Sequence, residues 1–165
     1  MSLLKDKKGL IMGVANERSI AWGISKKLSN EGADLAFTYV GESLKKRVVP
    51  LADSLGSKLT IDCNVENEQQ IKDTFTKIKQ KWGNIDFVVH SVAFSDKSEL
   101  SGEYLSTSRN NFLNSMLISC FSFTEVARAA ADLMKKGGSL LTLTYESTKV
   151  IPNYNVMGVC KSCLL

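Results

Sequence analysis

Lys7-Lys-Gly-Leu-Ile-Met12-Gly13-Val-Ala-Asn-Glu-Arg-Ser19-Ile-Ala-Trp-Gly23 is the stretch on which the fold turns. Lys7 to Met12 reads as a short apolar strand. Beyond the glycine, Ile20, Ile24 and Leu28 recur at i, i+4 and i+8, which predicts one buried helix face. Gly13 permits a tight turn from strand to helix, and Ser19 stands where that helix needs a cap. Backbone N–H groups at a helix start attract anions, so the turn suits a pyrophosphate. The spacing is not G-x-G-x-x-G, and a glycine turn alone is more often a connector than a phosphate site.

Outward from this stretch, strand and helix patterns alternate. Strands are predicted at about 9–12, 35–39, 58–63, 85–90 and 139–144, and helices at about 19–31, 42–55, 67–82, 109–135 and from about 153 onward. Such alternation implies parallel strands, right-handed crossovers and helices on both faces: a doubly wound, Rossmann-like sheet in three α/β/α layers. Ligands of open α/β sheets bind at the carboxyl ends of strands. Tyr145 stands at such an end, directly after Ser139-Leu-Leu-Thr-Leu-Thr144, and is followed by Tyr154 and Lys161. Within a helix those last two would lie about two turns apart and face one side. The lysine charge would favour tyrosinate and strengthen the phenol as a donor to a developing oxyanion. Tyr and Lys at this spacing also occur on solvated helix faces; the strand end just before them is what points to a reductase.

The 165 residues amount to one domain, residues 1–165, with 44% hydrophobic and 23% charged residues and only 2 prolines. Met1-Ser-Leu-Leu-Lys-Asp-Lys-Lys is too short in its apolar part for a signal peptide, and no run reaches the length of a membrane span. A cytoplasmic protein with no membrane partner is expected. Cys63, Cys120, Cys160 and Cys163 then read as reduced thiols. Cys160-Lys-Ser-Cys163 falls inside a helix instead of opening one after a strand, which disfavours a redox motif. A second C-x-x-C or a histidine pair is missing, so no metal site is expected. His90, the one histidine, ends an apolar strand and reads as structural.

A formal charge of +4 with 8% aromatics lacks the basic stripe that nucleic acid requires. Much of the charge lies on solvated helix faces such as 71–82, where Ile71, Phe75, Ile78 and Trp82 turn inward and the lysines outward. A net-basic surface suits an acidic protein partner through long-range steering.

Gly13 to Gly23, Ser91-Val-Ala-Phe94, the strand end at Tyr145 and above all Pro152-Asn-Tyr154-Asn-Val-Met-Gly-Val-Cys-Lys161 resemble the bacterial NADH-dependent enoyl-acyl-carrier-protein reductases, a divergent branch of the short-chain dehydrogenase/reductase superfamily. The resemblance runs over the whole chain. Ordinary superfamily members have Tyr-x-x-x-Lys and Asn-Ala-Gly where this sequence has Tyr-x-x-x-x-x-x-Lys and Ser-Val-Ala. It implies reduction of the trans-2 double bond of an acyl chain carried on acyl carrier protein, in a cytoplasmic homotetramer. It implies Tyr154, Lys161 and Tyr145 as catalytic residues. Gly13, Ala15, Ser19, Ile20, Val40, Asn64, Val65, Ser91, Val92, Ala93 and Lys161 would bind NADH, the apolar ones being equally readable as core.

Two departures from the family stand out. At strand three the family has Asp before the valine where this chain has Asn64, whose amide oxygen can still accept from the adenine amine. The Tyr145 to Tyr154 interval is also one residue shorter. Asp34 has the expected spacing of about 20 residues from the glycine turn for a ribose contact but sits at the amino end of strand two, and is set aside. No cation occurs from Tyr39 to Leu44, and Glu42 would repel a 2′-phosphate, so NADH is favoured over NADPH.

Two alternatives stay open: a short-chain reductase acting on a carbonyl, and a truncated relative that binds nucleotide without catalysis. Five strands are legible where a dinucleotide fold has roughly six, and Lys161-Ser-Cys-Leu-Leu165 carries no glycine or asparagine cap. The expectation is therefore a chain missing its C-terminal third.

Overall fold

The structure, a computed structural model, describes residues 2–146 and 149–165. Its contacts divide the chain into two compact units, Met1–Ser91 with Glu125–Thr142, and Val92–Thr124 with Leu143–Leu165.

The first unit is built on five parallel strands, β1 (Lys8–Met12), β2 (Asp34–Tyr39), β3 (Leu59–Asp62), β4 (Phe87–His90) and β5 (Ser139–Thr142), in the order β3-β2-β1-β4-β5. Helices α1 (Ile20–Asn30) and α2 (Gly41–Ser54) join strands stepping one way from β1, and α3 (Glu68–Trp82) carries the chain back to its other side. Right-handed crossovers put α1 and α2 on one face and α3 on the opposite one. This is the doubly wound α/β/α sheet expected, with the order reversing between β1 and β4.

Alternation along each strand sorts the core. Ile11, Leu35, Phe37 and Val89 pack with Ala21, Trp22, Val48 and Ala52, whereas Leu10, Ala36 and Val88, fully buried, point the other way. The buried face of α1 differs from the predicted one. Ile20 is 68% exposed, and Ala21, Trp22 and Ser25 are buried in its place. Ile20 is the first helical residue, beside the Gly13 turn, while Ser25 tolerates burial because its hydroxyl donates to the Ala21 carbonyl at 2.7 Å. On α3 the predicted pattern holds for Ile71, Phe75 and Ile78. Asn67 caps that helix by accepting from the Gln69 and Gln70 amides, and Gly83 ends it at φ 78°.

The second unit holds α4 (Arg109–Met116), a π-helical segment Leu117–Phe121, the start of α5 (Ser122–Ala131), two 3-10 turns (Lys97–Glu99 and Tyr104–Ser106) and α6 (Val156–Ser162). The single helix predicted over 109–135 is thus interrupted by the π segment, which periodicity does not register. A small core of Val156, Met157 and Cys160 packs with Leu100, Phe112, Met116 and Tyr145.

Helix α6 starts at Val156, three residues later than predicted, because Asn153 and Asn155 have φ of 64° and 36° and cannot be helical. Tyr154 therefore sits in the turn before the helix, and the two-turn argument for Tyr154 and Lys161 does not apply. Among the described residues no helix is long and apolar enough to cross a membrane.

Candidate active site

The candidate residues fall into two groups, one in each unit. In the sheet unit, β1 and β4 run side by side with Met12 opposite His90, so Gly13 and Ser91 emerge together where the strand order reverses. That reversal is where open α/β sheets bind ligands. Gly13 has φ 94°, and a Cβ there would collide with the Ser91 carbonyl oxygen, so glycine is required twice over. Ser19 caps α1 by backbone geometry but not with its side chain. Its hydroxyl instead accepts from the Ala15 and Asn16 amides at 3.0 and 3.1 Å, which fixes the loop and leaves the first helical amides free of a side-chain cap. Ile20 is exposed on that rim.

Val40 follows β2, 46% exposed, and Gly41 donates to the Asp62 carboxylate at 3.2 Å, drawing together the carboxyl ends of β2 and β3. Asn64 lies just past β3. Its amide oxygen accepts from the Glu66 backbone at 3.1 Å, so one of its two lone pairs is already engaged. Val65 is 4% exposed and serves the core. Asp34 stands at the amino end of β2, as judged from sequence. His90 is buried, with Nδ1 3.3 Å from the Thr142 hydroxyl on the neighbouring strand.

In the second unit the rings of Tyr145 and Tyr154 meet edge to face, centroids 4.7 Å apart at 61°. Tyr154 is 41% exposed. The Tyr145 hydroxyl is buried and finds no hydrogen-bond partner among the described residues, and burial, then the neighbouring Tyr154, pushes its phenol above the usual value. Ser147 and Thr148, inside the shortened interval, lie outside the described residues. Lys161 is 6% exposed; its Nζ reaches the Ser119 carbonyl at 3.5 Å, and burial holds the ammonium below the usual lysine value. Val92 and Ala93 lead into Phe94, whose amide donates to the Ser119 hydroxyl at 2.9 Å while that hydroxyl donates to the Phe94 carbonyl at 3.0 Å.

Cys160 lies in α6 with its thiol pushed up to about 11 by burial, an inert state. All four cysteines are free. Among the described residues no cluster of His, Cys, Asp or Glu could hold a metal ion.

The sequence reading missed three residues of this second unit. Ser119 sits in the π segment, a distortion frequent at functional sites. Asn111, buried on α4, accepts from the Asp96 amide at 2.9 Å and from the Ser115 hydroxyl at 3.1 Å. Glu99 accepts from the Ser108 amide and hydroxyl and from Asn111, and those bonds, the Ser108 amide first, hold its carboxyl below the usual range. A polar residue on the inward face of a helix, as Asn111 is, was the one available signal.

Comparison with known proteins places the chain in a family. The family profile described as enoyl-(acyl carrier protein) reductase matches residues 13–165. The chain is 56% identical to "Enoyl-[acyl-carrier-protein] reductase [NADH] 2" of Rhizobium meliloti, over 98% of this chain and 61% of that protein. It superposes on the crystal structure of the Anaplasma phagocytophilum enoyl-acyl-carrier-protein reductase in complex with NAD at a TM-score of 0.95 and 55% identity, covering 98% of this chain and 62% of that one. On the Bacillus cereus enoyl-acyl carrier protein reductase with NADP+ and indole naphthyridinone the TM-score is 0.96 at 48% identity, covering 99% and 65%. The chain thus spans about three fifths of the Rhizobium relative's length. By the extent of the profile match and the level of identity along almost its whole length, it belongs to the enoyl-(acyl carrier protein) reductase family.

Proposed function

We propose that the chain, as a single domain over residues 1–165, is the dinucleotide-binding and catalytic part of an NADH-dependent enoyl-acyl-carrier-protein reductase. The observation that carries the reading is the contact of the Tyr145 and Tyr154 rings in the unit that also buries Lys161. The residues suit the cofactor. Gly13 lets the β1 turn pass close against the Ser91 carbonyl, Ser19 ties back the loop ahead of α1, and no cation occurs from Tyr39 to Leu44 to meet a 2′-phosphate. Gly13, Ala15, Ser19, Ile20 and Ser91 would hold the pyrophosphate side, Val40, Asn64 and Val65 the adenosine side, and Val92, Ala93 and Lys161 the nicotinamide side.

When bound, NADH supplies the hydride that adds to the β-carbon of the enoyl thioester. Negative charge then grows on the thioester oxygen, and the Tyr154 hydroxyl donates a hydrogen bond there, an interaction stronger in the transition state than in the ground state. Lys161 would hold the ribose hydroxyls of the bound cofactor from Nζ and adds positive potential. Its long contact to Ser119 leaves donors for that task. Tyr145 supports the Tyr154 ring from the side. An acidic acyl carrier protein as substrate carrier, a homotetramer and a cytoplasmic location belong to the same reading and rest on the family resemblance.

The test is NADH oxidation with crotonyl and acetoacetyl thioesters side by side. Oxidation with the enoyl thioester alone is expected. Preference for the keto thioester would assign the chain to carbonyl reduction, and stabilisation by NADH without turnover would reduce it to a nucleotide-binding relative.

A further inference from the structure

Tyr154 stands between two asparagines with positive φ, Asn153 at 64° and Asn155 at 36°. At Asn155 ψ is −118°, the conformation of the first central residue of a type II′ turn, which glycine adopts freely and a residue with a Cβ does not. Asparagine before a helix ordinarily turns its side chain onto the helix's own amides. Asn155 does not, although it directly precedes α6. Its Nδ2 donates instead to the carbonyls of Glu99 at 3.0 Å and Gly102 at 3.4 Å, more than fifty residues back along the chain.

That loop is itself held. Glu99 accepts from Ser108, the cap of α4, and from Asn111, and Asn111 accepts from Asp96. The tether therefore runs to a fixed base. On the other side, the carbonyls of Tyr154 and Asn155 accept from Met157 and Gly158 at 2.8 and 3.0 Å, so the turn leads straight into α6 and the small core around Val156.

We propose that Asn155 is a positioning residue for Tyr154: its two donated hydrogen bonds hold the backbone in a conformation that asparagine disfavours, and so fix the direction of the phenol against Tyr145. A strained conformation persists only where its surroundings over-determine it, and the amide of Asn155 supplies that constraint. The inference rests on Tyr154 acting in enoyl reduction as proposed above.

Two variants separate the tether from the backbone geometry. Asn155→Gly removes the side chain and relaxes the turn, so strain gives it no reason to unfold. Asn155→Asp keeps size and shape but has no N–H to donate. Both are compared with the unaltered protein for the NOE between the Tyr145 and Tyr154 rings, for NADH affinity, and for kcat and KM with crotonyl thioester. The ring contact is expected to weaken in both, with NADH affinity within about twofold and kcat lower by about tenfold or more, the scale of misplacing a reacting group. An unchanged ring contact in either folded variant overturns the proposal. So does loss of the fold in Asn155→Gly, since Asn155 would then serve the fold and not the phenol. If the unaltered protein fails to oxidise NADH with the enoyl thioester, the functional reading falls, while the ring contact, which needs no turnover, still decides the role of Asn155.

Discussion

In the sheet unit the candidate residues are placed by backbone: Gly13 is locked by its own φ and by the Ser91 carbonyl, and the carboxyl ends of β1 and β4 that lead into them are buried. In the second unit they are placed by side chains. Asn155, Glu99, Asn111 and Ser119 tie loops and the π segment together through hydrogen bonds, and the apolar core there is only a few residues wide. A phosphate needs a fixed row of amides, which a strand-turn-helix supplies directly. An oxyanion donor needs one hydroxyl aimed to within a fraction of an ångström, and that calls for specific polar contacts.

The sharpest blow to the first arrangement is Gly13→Ala. Positive φ and the collision with Ser91 together should cost about 3 kcal/mol or more, seen as a lower urea midpoint and lost NADH binding. A mild effect would mean that the turn is pliable and that the contrast between the units is misplaced. Next comes Val40→Arg. Val40 has extended backbone and an exposed side chain, so an arginine there is free to meet a 2′-phosphate, whereas Gly41 at φ 67° would resist substitution. The ratio of NADH to NADPH in kcat/KM should narrow about tenfold, one charge-assisted hydrogen bond of roughly 1.5 kcal/mol. No change would remove Val40 from the adenosine side.

Lys161→Met probes the second unit. A lysine whose folded value lies below its ordinary 10.5 destabilises the fold while charged, and the cost lifts as pH rises through the folded value towards 10.5. The substitution should therefore stabilise by about 1 kcal/mol at pH 7, with the gain shrinking as pH approaches 10, while NADH binding weakens. Urea melts at the two pH values check it, and a destabilised variant would show that Lys161 serves the fold.

Asp86→Asn should have the smallest effect. Burial raises the Asp86 carboxyl, but bonds from the Lys7 ammonium at 2.8 Å and the Lys8 amide at 2.9 Å outweigh it and hold it below 3.8. Its contribution is present above pH 3.8 and lost as pH falls through the lowered value. Loss of about 0.5–1 kcal/mol at pH 7 is expected, fading in acid melts.

The same contrast explains what was legible beforehand. The alternation of strands and helices, Gly13 and the cap position of Ser19 follow from local chemistry, and local chemistry is written in consecutive residues. The exposure of Ile20, the late start of α6 and the π segment depend on what lies beside a residue, and periodicity carries no record of that. Tyr154 was found by its motif but placed on a helix, because nothing in Asn-Tyr-Asn announces that both asparagines turn to positive φ. Asn155 was invisible for the same reason, since its partners are backbone carbonyls in a distant loop.

The central claim is that Tyr154 contributes only in the transition state, while other residues hold the nucleotide. Tyr154→Phe tests it most directly, with NADH affinity and single-turnover NADH oxidation on crotonyl thioester measured on the same preparation. The account predicts unchanged affinity and a rate lower by about tenfold or more; wild-type turnover in that variant would contradict it.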